Sequence, residues 1–293
     1  MLVFFGTSRY SAQFLGLALE NGLKINLVVS APPKPTGRQQ ILIENPTVTA
    51  AKTLKIPFVT SLSDLSLTMK QLDPPSLKLR RAGNQTIGLI LDFNRIIPKD
   101  TINIFNKGII NIHFSKLPQY RGPAPVQYTI LNGDREAWIS YYLINERLDA
   151  GQILAQTSLP LDMTENTETL YQKLIEKASS EIVDIIDNYL SGGGSPCQQT
   201  GETSFTKKLK TENCQIDWKK SPEQIERLIR AAFPEPGAWS SVQTPSRKRL
   251  KIIKAHLESG NLLLDTVQLE GKKPVTWEQF KKGYPEASLT LGI

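Results

Sequence analysis

The first 30 residues, MLVFFGTSRYSAQFLGLALENGLKINLVVS (1–30), contain two short apolar runs separated by an amphipathic stretch. Leu2–Phe5 and Ile25–Val29 have the length and composition of buried strands, and Ser11–Glu20 carries apolar residues at helical spacing. A strand, a helix and a second strand in this order predict a βαβ unit with parallel strands. This stretch therefore predicts an α/β fold built on a mostly parallel sheet.

The same alternation continues through the first half of the chain. It predicts helices at Thr47–Leu54 and Pro98–Phe105 and strands at Ile87–Leu91 and Gly108–Ile112. Ligands of such folds bind at the carboxyl ends of the strands. We therefore expect a binding site near the four residues that end the predicted strands, Gly6, Ser30, Asp92 and Asn111.

A second domain follows a flexible segment. The long helix predicted at Thr167–Leu190 ends at SGGGSP (191–196), and SPEQIERLIRAA (221–232) predicts a helix capped by Ser221 with Pro222 in its first position. Three short strands, Trp239–Val242, Leu250–Ala255 and Leu262–Leu269, then indicate a small β-barrel. We predict a catalytic domain at 1–190, a linker at 191–204 and a second domain at 205–293.

Composition excludes several classes of protein. The 293 residues are 40% hydrophobic and 22% charged, which is unlike disordered, collagenous or disulfide-scaffold chains. No apolar run approaches the length of a membrane-spanning helix, and no basic region precedes the apolar start, so we expect a cytoplasmic protein without membrane contact. Two cysteines, Cys197 and Cys214, and two histidines, His113 and His256, lack metal-ligand spacing, and we expect reduced thiols and no metal.

The charge is moderately basic and unevenly distributed. Residues 1–190 carry 19 basic and 17 acidic side chains, whereas residues 191–293 carry 16 and 11. This excess fits an anionic macromolecular partner, although many basic surfaces are merely solvated. The segment APPKPTGRQQILIENP (31–46), which includes Lys34 and Arg38, is too long for an ordinary α/β connection and indicates a functional or disordered loop.

The stretch GIINIHFSKLPQYRGPAPVQ (108–127) holds the strongest candidates for chemistry. The strand period of two places Asn111 and His113 on one face, where an amide and an imidazole can stabilise an oxyanion and move a proton. On this spacing alone, a hydrogen-bonded structural histidine is the favoured interpretation over a catalytic one. Arg121, on a proline-stiffened loop, either serves the site or pairs with a carboxylate. Asp149 is either a turn former or, if its loop folds back, the partner of His113.

These motifs together resemble the folate-dependent formyltransferase superfamily. NIHFSKLPQYRGPAP (111–125) and LDAG (148–151) match its two signatures, FFGTSRYSAQFL (4–15) its opening, and PPKPTGRQQ (32–40) its loop. IDW (216–218) and ERLIRAAFPEPGAW (226–239) are similar to the C-terminal domain of members that formylate methionyl-tRNA. The resemblance covers nearly the whole chain and implies a Rossmann-like formyltransferase domain followed by an OB-like barrel.

The resemblance also implies roles for particular residues. Asn111, His113 and Asp149 fall on the catalytic triad, with 10-formyltetrahydrofolate as formyl donor and the α-amino group of methionyl-initiator tRNA as acceptor. Two sets of contacts are expected. The folate set is Phe93, Asn94, Ile97, Ser115, Leu117 and Pro118, and the tRNA set is Lys34, Arg38, Lys248, Arg249 and Lys251.

Departures from the family pattern concern the donor pocket. Lys116 and Trp138 replace a leucine and a glycine, and Phe93-Asn94 replaces Tyr-Gly, where Asn94 suits a left-handed backbone conformation. Two other functions remain open. One is formylation of a nucleotide-linked amino sugar, and the other is a catalytically silent RNA-binding protein. We expect a monomer without an obligate protein partner.

Overall fold

The structure, a computed structural model, describes residues 1–36, 40–72, 85–244 and 246–289. The chain forms two compact units. The first contains Met1–Arg121, Trp138–Thr157 and Gln172–Thr203, and the second contains Gly122–Ala137, Ser158–Tyr171 and the residues from Ser204 onward. Two stretches that precede residue 190 in the sequence therefore belong to the second unit.

The N-terminal part of the chain alternates strands and helices, as the opening βαβ pattern predicts. Its strands are β1 (Leu2–Phe5), β2 (Leu27–Val29), β3 (Lys34–Thr36), β4 (Ile41–Ile43), β5 (Phe58–Val59), β6 (Ile87–Ile90), β7 (Ile109–His113), β8 (Glu136–Leu143) and β9 (Ile153–Pro160). Its helices are α1 (Arg9–Glu20), α2 (Pro46–Thr53), α3 (Leu62–Leu72), α4 (Lys99–Ile102), α5 (Pro125–Asn132) and α6 (Thr167–Ser191).

Seven of these strands form one sheet in the order β5-β2-β1-β6-β7-β8-β9. The pairs from β5 to β7 are all parallel, and β8 runs antiparallel to β7. Strands β1, β2 and β6 are buried along their whole length, as expected for a sheet with both faces covered. The predicted α/β class with a mostly parallel sheet is confirmed.

Local sequence explains the start of α1. The Ser8 side chain accepts hydrogen bonds from the Tyr10 and Ser11 amides, and Ser11 bonds back to the Ser8 amide. This capping box satisfies amides that have no partner within the helix. The Ser11 hydroxyl also donates to Leu91 O at 2.7 Å, and it thereby ties the helix start to the carboxyl end of β6.

The loop predicted between Ser30 and Thr47 contains a short antiparallel hairpin. Strand β3 pairs with β4, with Lys34 opposite Ile43. The β4 side chains are all exposed, which is unusual for a run of three large apolar residues. Arg38, the arginine of this loop, lies outside the described residues.

The C-terminal part of the chain is an antiparallel β domain with two helices. It contains a short 3-10 helix (Thr211–Cys214), α7 (Pro222–Ala232), β10 (Ala238–Gln243), β11 (Arg247–Glu258), β12 (Asn261–Leu269), β13 (Val275–Thr276), α8 (Trp277–Gly283) and β14 (Ser288–Leu289). The strand order is β13-β12-β11-β10-β14. Ser221 caps α7 through a capping box with Gln224, and Pro222 is the first helical residue, so that prediction is confirmed.

Candidate active site

The candidate catalytic residues lie where β7 meets an antiparallel neighbour. Asn111 and His113 project from the same face of β7, because successive side chains of a strand alternate. Asn111 pairs with Ile90 on one side and with Tyr142 of β8 on the other. Strand β8 therefore places its own residues, among them Tyr142, directly opposite Asn111 and His113.

The imidazole of His113 is buried and is oriented by the loop that follows its strand. Its Nε2 lies 3.0 Å from the carbonyl oxygen of Tyr120, a residue with a left-handed backbone (φ +57°). A carbonyl oxygen only accepts, so Nε2 carries the proton and Nδ1 has the free lone pair in the neutral ring. The stiff loop thus fixes the tautomer of His113.

Asp149 folds back to the face of His113, as one of the two sequence interpretations expected. Its Oδ2 lies 3.9 Å from His113 Nδ1, and only 11% of its side chain is exposed. This distance is too long for a hydrogen bond and suits an ion pair with a protonated ring. Asp149 therefore lies where its carboxylate can pair with the ring once Nδ1 has taken up a proton.

The turn that carries Asp149 is held tightly against β8. Asp149 itself is left-handed (φ +48°), and Gly151 sits so close to the strand that a Cβ atom there would lie within 2 Å of Leu143 O. Gln152 O accepts a hydrogen bond from Leu143 N at 2.9 Å. Only glycine fits this approach, which explains the glycine of the LDAG motif.

A tyrosine connects two members of the predicted triad. The hydroxyl of Tyr142 lies 2.9 Å from Asn111 Nδ2 and 2.7 Å from Asp149 Oδ1. Nothing in the sequence distinguishes Tyr142 from its buried neighbour Tyr141, since both belong to one apolar strand. The register of β7 against β8 distinguishes them, because it places Tyr142 opposite Asn111.

Gln199 is a second residue that sequence reasoning missed. Its Nε2 donates to Asp149 O at 2.8 Å and to Gly151 O at 2.9 Å. Its Oε1 accepts from Arg121 Nη2 at 2.5 Å, so Gln199 links Arg121 to the turn that carries Asp149. Gln199 belongs to the segment predicted as a linker, where no pattern marks it.

We expect Gln199→Leu to lower the rate of the reaction at this site about 10-fold, because the carbonyls of Asp149 and Gly151 lose the amide group that donates to them. The turnover number, compared with wild type under saturating substrates, measures this. Gln198→Leu, one residue earlier, is the matched control and should retain the wild-type rate. An unchanged rate in Gln199→Leu would contradict the role of Gln199 in holding the turn.

The residues expected to bind the donor fall into two groups. Phe93 and Ile97 pack against the apolar cluster at the carboxyl ends of β1 and β6, and Leu117 belongs to a small cluster with Tyr142 and Ile153. The half-buried side chain of Ile144 packs against both clusters. Ile144 therefore connects the two clusters in which the apolar candidates pack.

Three further candidates differ from expectation in detail. Ser115 is buried, and its hydroxyl donates to Gln119 O at 2.6 Å, so it shapes the loop. Pro118, also buried, follows a cis peptide bond. Asn94 is exposed, and the left-handed residue of its segment is Asp92 (φ +52°) instead, so our backbone interpretation of Asn94 was wrong.

Two residues that depart from the family pattern contact each other. The ammonium group of Lys116 lies over the ring of Trp138, 4.1 Å from its centroid. A cation in this position is attracted by the electrons of the ring. The two replacements are therefore coupled, and Lys116 is directed toward Trp138.

The basic residues of β11 do not all share one face. Arg249 stacks over Trp239 at 4.5 Å, and Lys251 donates to Pro234 O at 2.8 Å. Lys248 precedes Arg249 in the strand and lies on the face of the buried residue Leu250. Arg249 and Lys251 thus lie together, whereas Lys248 points to the opposite side. Lys34 is exposed on β3.

The residues that the structure describes include neither a cluster of metal ligands nor a membrane-spanning helix. They contain no group of three or more His, Cys, Asp or Glu side chains placed to hold a metal ion. No described helix is long and apolar enough to cross a membrane. Cys197 is exposed, Cys214 is buried, and neither forms a disulfide.

The arrangement has the parts that an acyl transfer to an amine requires. His113 Nδ1 can accept a proton, and Asp149 lies where it stabilises the resulting charge. Asn111 Nδ2 uses one N–H for Tyr142 and retains a second for a developing oxyanion. The site therefore combines a proton acceptor, a charge stabiliser and an amide donor on one face of β7.

Comparisons with known proteins agree with this chemistry. The formyl transferase family model matches residues 1–186, and the model of the formyl transferase C-terminal domain matches residues 208–261. The methionyl-tRNA formyltransferase of Thermodesulfovibrio yellowstonii is 32% identical over 303 aligned positions, which cover 96% of this chain and 95% of the relative.

Solved structures share the fold at lower identity. A methionyl-tRNA formyltransferase from Clostridium thermocellum has a TM-score of 0.61 at 20% identity, covering 92% of this chain and 97% of its own. An N-formyltransferase from Helicobacter canadensis, in complex with folinic acid and dTDP-3-aminofucose, has a TM-score of 0.62 at 19% identity, covering 94% and 98%. With family models matching both parts of its sequence, the chain belongs to the formyl transferase family.

Proposed function

We propose that the protein transfers a formyl group from 10-formyltetrahydrofolate to the α-amino group of methionyl-initiator tRNA, for the initiation of translation in the cytoplasm. The observation that carries this proposal is the placement of Asp149 Oδ2 3.9 Å from His113 Nδ1, on the face that also presents Asn111. The full-length relative from Thermodesulfovibrio yellowstonii, named as a methionyl-tRNA formyltransferase, supports the choice of acceptor.

The acceptor requires little help to become a nucleophile. An α-amino group has an ordinary pKa of about 7.7–8.0, so a useful fraction is uncharged near neutral pH. His113 Nδ1 takes the proton that the amine loses as its bond to the formyl carbon forms. Asp149 stabilises the imidazolium, which then returns the proton to the departing nitrogen of the donor.

The second requirement is to stabilise negative charge on the formyl oxygen. The bound donor supplies a formyl carbon attached to a nitrogen leaving group. Asn111 offers its remaining N–H to the formyl oxygen, and donors of this kind contribute about 10²–10³ in rate. Protonated His113 is a further donor at the same place. All three roles fall on the residues that the two signature motifs provide.

The apolar candidates suit a flat, partly aromatic donor such as a folate. Phe93, Ile97 and Leu117 pack in the two clusters that Ile144 connects, and Pro118 follows Leu117 in the chain. Ligand sites for such donors are mostly apolar with a few placed polar groups. We assign the donor to these residues, with the exposed Asn94 as a further contact and Ser115 shaping the loop.

Binding of tRNA is assigned to basic residues of β11 and of the long loop after Ser30. Arg249 and Lys251 lie on one face of β11, and Lys34 and Arg38 belong to the long loop of the first unit. Cations that contact phosphates release counterions, which makes affinity depend steeply on salt. Lys248 on the opposite face contributes less in this assignment. We expect the protein to act as a monomer.

We expect Arg249→Gln with Lys251→Gln to weaken tRNA binding and to reduce the slope of log affinity against log salt by about 1 to 2, since each lost phosphate contact removes about one unit. Affinity measured over a series of salt concentrations provides both values. The control, Lys272→Gln with Lys273→Gln, changes the charge equally in an exposed turn and should leave the slope nearer to wild type. An unchanged slope in the β11 variant would remove β11 from the tRNA interface.

The experiment that tests the proposed function is a product assay. The purified protein is incubated with 10-formyltetrahydrofolate and methionyl-initiator tRNA, and in parallel with a panel of nucleotide-linked amino sugars. Formylated methionine on the tRNA supports the proposal. A formylated sugar alone would retain the chemistry of the site and overturn the acceptor, and no product with either acceptor would favour a catalytically silent RNA-binding protein.

A further inference from the structure

Tyr142 occupies the position in β8 that faces the catalytic strand. It is directly opposite Asn111 in the β7–β8 register, and only 2% of its surface is exposed. Residues opposite each other in an antiparallel pair project to the same face of the sheet. The phenol ring therefore reaches into the site from the neighbouring strand, although it belongs to neither signature motif.

The directions of its two hydrogen bonds follow from the chemistry of the partners. An ionised carboxylate only accepts, so the single proton of the Tyr142 hydroxyl is donated to Asp149 Oδ1 at 2.7 Å. The hydroxyl oxygen then accepts, and Asn111 must present its NH2 group, which lies 2.9 Å away. The Tyr142 hydroxyl thus fixes which end of the Asn111 amide points toward it.

The hydroxyl keeps its proton over the whole working range of the enzyme. Burial holds the pKa of Tyr142 well above its ordinary value, and the neighbouring Asp149 carboxylate raises it further. A group with a raised pKa stays neutral until the pH exceeds that pKa. Tyr142 therefore remains a donor to Asp149 at neutral and mildly alkaline pH.

We propose that Tyr142 is a positioning residue that joins Asn111 to Asp149 and holds both in the orientation that formyl transfer requires. This inference rests on the proposed function. With Oδ1 of Asp149 bound to Tyr142, Oδ2 is left facing His113 Nδ1 at 3.9 Å. The same hydroxyl leaves the second N–H of Asn111 for the formyl oxygen. One phenol thus sets the geometry of two catalytic groups.

Small displacements of catalytic groups lower the rate of a reaction. A shift of about 1 Å in a reacting group can cost about 10²-fold, and a released Asn111 amide can also turn its oxygen toward the developing negative charge. Groups that act only by positioning others lower the turnover number while substrate affinity remains unchanged. A fall in kcat without a change in KM therefore distinguishes a positioning residue from one that only supports the fold.

The test compares Tyr142→Phe with Tyr141→Phe. Both substitutions remove one buried hydroxyl from adjacent residues of β8, but the Tyr141 hydroxyl donates to Glu181, away from the site. We expect Tyr142→Phe to lower kcat about 10- to 100-fold with KM for both substrates within about twofold of wild type. Tyr141→Phe should retain the wild-type kcat. Equal kcat in the two variants would overturn the proposal.

A double-mutant cycle with Asp149→Ala tests the proposed route of the effect. Once Asp149 is removed, the Tyr142 proton no longer has its carboxylate partner, and the orientation it imposes on Asn111 is already lost. Tyr142→Phe should then cost less than about twofold on top of Asp149→Ala. Costs that multiply independently would overturn the coupling of Tyr142 to Asp149.

The same cycle measured by thermal unfolding separates this inference from the proposed function. If wild-type protein fails to formylate methionyl-tRNA, the acceptor assignment is wrong, and the stability cycle still tests the link between the two residues. Non-additive losses of stability for Tyr142→Phe and Asp149→Ala are expected from a direct hydrogen bond. Additive losses would show that Tyr142 does not hold Asp149, whatever the substrate.

Discussion

His113→Ala is expected to lower the rate of formyl transfer at least about 10²-fold while the protein remains folded. Loss of the imidazole removes the group that we propose accepts the amine proton beside Asp149, and general acid–base catalysis contributes about 10²–10⁴ in rate. The ring makes one hydrogen bond, to Tyr120 O, so the loss of stability is limited to about 1–3 kcal/mol. Single-turnover formylation at saturating donor measures the rate.

His256→Ala provides the matched control, since it removes the other histidine of the chain. His256 lies on β11, half exposed, and pairs with Asp265 at 2.7 Å, outside the elements that build the site. Its variant should form product at the wild-type rate. A His113→Ala protein that retains more than about a tenth of wild-type activity would show that His113 is structural, as the competing sequence interpretation held.

The second large effect is expected from Gly151→Ala, which should reduce formyl transfer about 10²-fold or more. The added Cβ atom would overlap Leu143 O, so the turn must move away from β8. Asp149 lies two residues earlier in the same turn and would move with it, away from both Tyr142 and His113. Activity assays together with circular dichroism separate a displaced turn from a misfolded protein.

Gly16→Ala makes the same chemical change where the structure leaves room for it. Gly16 lies inside α1, and nothing lies within 4 Å of the Cβ position. Alanine is favoured over glycine inside a helix by about 0.5–1 kcal/mol, so this variant should be active and slightly more stable. Wild-type activity in Gly151→Ala would show that the turn tolerates displacement and that the position of Asp149 is not critical.

Parts of both units follow from local sequence. Apolar runs such as Leu2–Phe5 predict buried strands, and in the structure β1 has these bounds. Helix starts are equally local, because capping at Ser221 depends on residues within one turn. The placement of Asn111 and His113 on one face needs only the period of a strand. These features depend on neighbours in the sequence, and for that reason they could be predicted.

The rest of the site depends on contacts between distant residues. Asp149 reaches His113 because β8 returns antiparallel to β7, and neither β8 nor β9 was predicted. Tyr142 could not be told from Tyr141 without the register between those strands. Gln199 came from a segment interpreted as a linker, since glycine and serine residues precede it. A pattern of residue types indicates local conformation, whereas the tertiary fold determines which distant residues contact each other.

The proposed acceptor and the role of His113 are tested most directly by a competition between two amines in one reaction. Wild-type protein receives 10-formyltetrahydrofolate with equal concentrations of methionyl-initiator tRNA and a nucleotide-linked amino sugar, and mass spectrometry identifies the formylated product. We expect wild type to form formyl-methionyl-tRNA, and we expect that product to be lost in His113→Ala but not in His256→Ala. Formylated sugar in place of formylated tRNA, or equal product from both histidine variants, would contradict this expectation.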